Sequence, residues 1–171
     1  MPFLVRQSNV DESRRTGESP QELALRLAIA KAAAVAPQFP ASLIIGSDQV
    51  ALLGDEILDK PGNAENAKKQ LVKASGKTVM FHTALCVLDS ARGEYGTRTV
   101  PVEVTFRHLD ARTIDTYLQR EQPYDCAGSA KAEALGIALI ERIRGDDPNA
   151  LVGLPLIALV DLLTERGFSV L

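Results

Sequence analysis

Seven residues of this chain have types suited to working together: Asp11, Glu12, Lys31, Asp48, Gln49, Lys60 and Glu133. Their common theme is phosphate chemistry. Carboxylates hold a magnesium ion, which prefers oxygen ligands and bridges phosphate oxygens, while lysines act as point charges on a polyphosphate. A further carboxylate can orient a water for attack. Asp48 stands out because Ile44-Ile45-Gly46-Ser47-Asp48-Gln49-Val50 otherwise reads as a buried strand, a costly place for a charge without a partner, a metal or a task.

Six of the seven also have a plainer alternative. Gly46-Ser47-Asp48 can form a polar bend in which Asp48 accepts backbone N–H bonds. Lys31 falls at the margin of a helical stripe, where a lysine either snorkels to solvent or aims its amine into a cleft beside the sheet. Asp11-Glu12 reads locally as a solvated loop patch, Lys60 before Pro61 as an exposed loop lysine, and Glu133 among Ala130, Ala132 and Ala134 as a glutamate facing water on a short turn.

Other chemistries lack their signatures. His82 within a strand and His108 at a strand end, with no cysteine nearby, read as structural. The chain has no G-x-S-x-G elbow, no Walker-type loop and no G-x-G-x-x-G. Cys126, with no evident base, reads as a small buried thiol.

The elements that must position these residues follow from caps and periodicity. Ser19-Pro20-Gln21-Glu22 is a capping box with proline at the first helical position, and the helix it opens carries Leu23, Leu27, Ala30 and Ala34 on one face until Pro37. The Asp48 strand runs to Leu53 and reverses at Gly54-Asp55 toward Lys60-Pro61. Asn63 caps a second helix reaching Ala74, and Thr78 to Leu88 and Tyr95 to Phe106 read as two long strands. Pro101 in the second of them suggests an edge or a bulge. Asp110 caps a helix burying Ile114, Tyr117 and Leu118. A small-residue loop, a strand-like Ile137-Ala138-Leu139-Ile140 and a last apolar helix stopped by Gly167 complete the chain. Strands alternate with helices, yet long strands also adjoin, so the expectation is one α/β domain over residues 1–171 with a mixed sheet.

Composition narrows the partners. A length of 171 residues suits a single core, and a net charge of −3 gives no basic field for duplex nucleic acid, leaving small phosphate compounds open. Cys86 and Cys126 fit neither a zinc site nor a disulfide framework. With no signal peptide and no stretch able to span a bilayer, a cytoplasmic location is expected.

The ordered set Val10-Asp11-Glu12, Gly46-Ser47-Asp48-Gln49-Val50, Lys60-Pro61, Ala74-Ser75-Gly76, Cys126-Ala127-Gly128-Ser129 and Gly153-Leu154-Pro155 resembles the Maf family of nucleoside triphosphate pyrophosphatases over nearly the whole chain. Ser47-Asp48-Gln49-Val50, Phe106-Arg107-His108-Leu109, Asp147-Pro148-Asn149 and Glu133, in place of a glutamine, resemble its YceF-like branch, associated with 7-methyl-GTP. The resemblance implies a Maf/ITPase-like domain with a strongly twisted sheet, flanking helices and a central nucleotide cleft. It further implies cleavage between the α- and β-phosphates with a divalent metal, Mg2+ or Mn2+. On that basis Asp48 becomes the catalytic base or metal-linked water activator, Asp11, Glu12 and Asp48 the metal ligands, Lys31 and Lys60 the phosphate ligands, and Gln49 and Glu133 the base readers. A homodimer is implied as well.

One departure is expected to matter. Family members begin with a strand and an S-x-S-x-x-R loop that would grip the triphosphate, whereas Met1-Pro2-Phe3-Leu4 corresponds to the strand after it. The departure raises an alternative function, a nucleotide-binding or regulatory protein impaired in catalysis.

Overall fold

The computed structural model describes residues 3–171. The first helix, α1 (Pro20–Val35), begins as its capping box dictates: Ser19 accepts from Glu22 N, and the Glu22 side chain accepts from Ser19 N. Strand β1 (Leu43–Leu53) follows and turns through Gly54-Asp55 into the short β2 (Glu56–Ile57). Helix α2 (Ala64–Ala74) is capped by Asn63, and α3 (Ala111–Glu121) by Asp110. Between them come β3 (Thr78–Asp89) and β4 (Glu94–Phe106), and after α3 come β5 (Ile140–Arg144) and α4 (Leu156–Glu165).

The five strands form one sheet in the order β2-β1-β3-β4-β5. Leu52 pairs with Ile57, and Val104 with Ile143, both antiparallel. Ser90 N donates to Ser42 O at 3.0 Å, so the start of β1 meets the end of β3, again antiparallel. The α/β expectation holds, but the sheet is antiparallel rather than mixed. The alternating order misleads because α2 connects β2 to β3, which lie on either side of β1; these two strands point the same way without being neighbours.

The chain groups into two compact units. One comprises the chain up to Asp48 together with Thr83–Val100 and Asp147–Leu171. Its core joins Leu85 and Val87 to Ala158, Leu159, Leu162 and Leu163 of α4. The helix α1 buries Leu23, Ala24, Leu27, Ala28, Ala32 and Val35; Ala34, placed on that face by periodicity, is exposed. Helix α4 has no side-chain cap at Pro155. Asp147, almost wholly buried, serves instead: its Oδ2 accepts from Ile157 N at 2.6 Å and its Oδ1 from Asn149 N at 3.0 Å.

The second unit holds Gln49–His82 and Pro101–Asp146. Here α2 packs on α3, burying Ala67, Leu71, Ala74, Ile114, Tyr117 and Leu118. Strand β4 is not an edge strand, but β5 pairs with it only from Glu103 to Phe106, so Pro101 lies beyond the last pair and forfeits no bond to that partner. Residues Leu135–Leu139 form a 3-10 turn and only Ile140 enters β5, so the strand-like run of apolar residues is mostly not a strand. Of the segment expected to correspond to the family's second strand, Phe3 and Leu4 are exposed and irregular, while Met1 and Pro2 lie outside the described residues.

Candidate active site

Strand alternation decides where the Asp48 side chain goes. Ile44, Gly46 and Asp48 share one face of β1, and Gly46 is where that face meets α1. A Cβ built on Gly46 would collide with the Ala28 carbonyl oxygen and lie 2.8 Å from Ala32 N. Only glycine permits the approach. It brings Lys31, one residue before Ala32, alongside Asp48, and Lys31 Nζ lies 2.6 Å from Asp48 Oδ1.

A third group joins them. Glu12 Oε1 lies 2.7 Å from the same ammonium. Side-chain exposure falls from 45 % at Glu12 through 21 % at Lys31 to 12 % at Asp48, so the cluster opens to solvent on the Glu12 side. Burial disfavours the Lys31 ammonium, but hydrogen bonds and charge from Asp48 and Glu12 outweigh it and hold its pKa above the ordinary lysine value. The carboxylate in the strand thus has the partner its position demanded.

Asp11 behaves differently from its neighbour. Its carboxylate accepts from Ser13 Oγ and, at 2.9 Å, from Ser13 N; these two bonds hold its pKa below the usual carboxylate range. Ser47, on the opposite face of β1, places Oγ 2.8 Å from Ala84 O and 2.7 Å from Gly153 O, fixing the backbone next to Asp48.

Arg26 is the residue that sequence reasoning missed. Its guanidinium donates to Glu18 at 2.6 and 2.9 Å and to Ser13 O at 2.9 Å, while Arg15 N also donates to Glu18. The bond from Arg26, then that from Arg15, bring Glu18 down to about 2. This latch holds the irregular segment after Glu12 against α1. The signal in the sequence is a basic residue four positions after Glu22 of the capping box, one helical turn away and able to reach an acidic group before the helix.

The remaining candidates belong to the second unit. Gln49 is half-buried in β1, Lys60 is exposed in the loop between β2 and α2, and Glu133 is exposed on a turn. Two residues before Glu133, Lys131 Nζ pairs with Asp125 Oδ1 at 3.0 Å, and Lys131 N donates to Tyr117 Oη at 3.1 Å. Burial pushes both the Cys126 and the Cys86 thiols up to about 11, which leaves neither a ready nucleophile. Burial also lowers the pKa of His82, whereas the His108 ring lies over Gly76, both in keeping with structural roles.

Among the described residues, no group of three or more histidine, cysteine or acidic side chains is gathered as a metal cage. Glu12 and Asp48 nevertheless aim one oxygen each at a single cationic point, now the Lys31 ammonium. That donor set fits magnesium, which commonly takes one or two carboxylates and completes its shell with water and phosphate. No helix among the described residues is long and apolar enough to cross a membrane.

Residues 1–166 match the sequence profile of the Maf-like protein family. The whole chain is 53 % identical to a protein of Methylobacillus flagellatus named 7-methyl-GTP pyrophosphatase, covering 89 % of it. Proteins of Nitrosococcus oceani and Colwellia psychrerythraea with the same name are each 52 % identical over 171 residues, which cover 86 % of each.

Proposed function

Since the chain belongs to the Maf-like protein family, we propose that it is a nucleotide pyrophosphatase that hydrolyses 7-methyl-GTP to 7-methyl-GMP and pyrophosphate. The observation that carries the reading is identity above half, over all 171 residues, to proteins bearing that activity in their names. The meeting of Glu12, Lys31 and Asp48 supplies the chemistry it needs.

In the reaction, a water adds to the α-phosphorus, the bond to the bridging oxygen breaks and pyrophosphate departs. Asp48 accepts the proton of that water. Lys31 holds Asp48 in place before substrate arrives and turns its charge to the phosphates afterwards, with Lys60 a second phosphate ligand. Glu12 and Asp48 would hold the divalent cation, with Asp11 as a further carboxylate of the same loop. When bound there, such a cation would supply Lewis-acid charge neutralisation for the polyphosphate and lower the pKa of a water. Gln49 and Glu133 read the base. A 7-methylguanine ring is cationic, so the Glu133 carboxylate adds charge attraction that a neutral pyrimidine cannot return.

The test compares pyrophosphate release from 7-methyl-GTP, GTP, dTTP and UTP with Mg2+ or Mn2+. The methylated nucleotide should be turned over fastest. Faster release from dTTP or UTP would overturn the substrate, and release from none would overturn the activity.

A further inference from the structure

Asn66 and Gln70 lie one turn apart on α2, and each reaches from the helix to the loop that carries Lys60. Asn66 Nδ2 donates to Pro61 O at 3.0 Å, and Gln70 Nε2 donates to Asp59 O at 2.8 Å. The carbonyls on both sides of Lys60 are therefore held by side chains of a single helix. Just beyond, Gly62 N donates to Tyr124 O at 3.0 Å, and the buried Pro61 fixes its own φ. A lysine is a point charge on a flexible stem, so what a loop can control is where the stem starts.

Gln70 has a second partner. Its Oε1 accepts from Ser129 Oγ at 2.5 Å, and Ser129 is fully buried with φ 57°, a left-handed conformation that a residue with a side chain rarely adopts. Ser129 closes the Cys126-Ala127-Gly128-Ser129 turn, ahead of Lys131 and Glu133. One amide thus ties the Lys60 loop to the turn that leads into a proposed base-reading residue.

We propose that Asn66 and Gln70 are positioning residues that hold Lys60 for the polyphosphate. The inference rests on the pyrophosphatase reading, in which Lys60 binds phosphate. The competing explanation is that the two amides only anchor α2. Against it, the helix already has its cap, Asn63 accepting from the backbone N of Asn66 at 2.9 Å, and its buried face is Ala67, Leu71 and Ala74. The Asn66 side-chain amide adds nothing to either.

Asn66 sits in the first turn, where a carboxylate suits the helix dipole. Asn66→Asp therefore removes the donor to Pro61 O without weakening α2. Gln70→Glu likewise keeps an acceptor for Ser129 and loses the donor to Asp59 O. The measurement is the Kd of the α,β-methylene analogue of 7-methyl-GTP with Mg2+, by calorimetry, for the full chain, Lys60→Ala, each single variant and each combined with Lys60→Ala.

Each single variant should weaken binding by about three- to tenfold, the size of one lost hydrogen bond. In the Lys60→Ala background the penalty should vanish, and the Tm of Asn66→Asp should stay near that of the wild type. Wild-type affinity in both variants, or a penalty that persists without Lys60, would overturn the positioning role alone. Wild-type affinity in Lys60→Ala would remove the phosphate role of Lys60 and this inference with it. A wild type that fails to bind the analogue would overturn the nucleotide reading itself.

Discussion

Lys31 Nζ lies 2.6 Å from Asp48 Oδ1, an ammonium of α1 set against a carboxylate of β1 in a place only partly open to water. With Glu12 on its other side, the ammonium occupies the point where a divalent cation would find two carboxylate oxygens. If Glu12 and Asp48 hold the cation as proposed, lysine and metal would compete when no nucleotide is present. Lys31→Met should tighten Mn2+ binding to the nucleotide-free protein by about three- to tenfold, equivalent to ~0.7–1.4 kcal/mol. Titration followed by Mn2+ electron paramagnetic resonance checks this, and weaker Mn2+ binding in the variant would contradict it.

The approach of β1 to α1 is set by a missing side chain. Gly46→Ala puts a methyl group against the Ala28 carbonyl and Ala32 N, both backbone atoms that cannot swing aside. The expected cost is about 1–3 kcal/mol of stability, with turnover falling because Lys31 retreats from Asp48. Thermal unfolding and pyrophosphate release measure the two effects; an unchanged Tm would show that the helix has room.

Acid should release the Glu18 latch. Its carboxyl is held at about 2 against an ordinary 4.5, so its contribution is full above 4.5 and is lost as pH falls through about 2. The difference in Tm between wild type and Glu18→Gln should be full at neutral pH and close on acidification across that window. Lys31 has the opposite sign: raised above 10.5, it contributes below that value and is lost only in more alkaline solution. A wild-type to Glu18→Gln difference that grows on acidification would contradict the assignment.

Asp147 caps α4 from outside the helix. Asp147→Ala leaves Ile157 N and Asn149 N without their acceptor and should cost about 1–3 kcal/mol. Hydrogen exchange should quicken in the first turn of α4. Unaltered exchange there would mean that water serves as well.

Much of this arrangement could be read from the chain because local rules acted alone. Ser19, Asn63 and Asp110 each announced a helix that the structure contains, and Gly54-Asp55 the hairpin. Asp48 was conspicuous because a carboxylate in an apolar strand must be answered by something. What answers it was not legible: Lys31 could snorkel or turn inward, and the choice came from how closely Gly46 lets two elements approach. Asp11 and Glu12 are adjacent and chemically alike, yet Ser13 draws one carboxylate aside and leaves the other to Lys31. The Asp147 cap and the Arg26 latch depend on groups brought together by the chain path, which periodicity does not report. The antiparallel sheet was hidden for a similar reason, since β-α-β order does not say whether the two strands are neighbours.

The most direct test is pyrophosphate release from 7-methyl-GTP by the wild type and by Asp48→Asn, a change that keeps the size of the side chain and removes its capacity to take a proton. Loss of about two to four orders of magnitude in turnover, the usual worth of a positioned general base, is the predicted result, with the variant remaining folded. Asp48→Asn turning over 7-methyl-GTP at the wild-type rate would contradict the account at its centre.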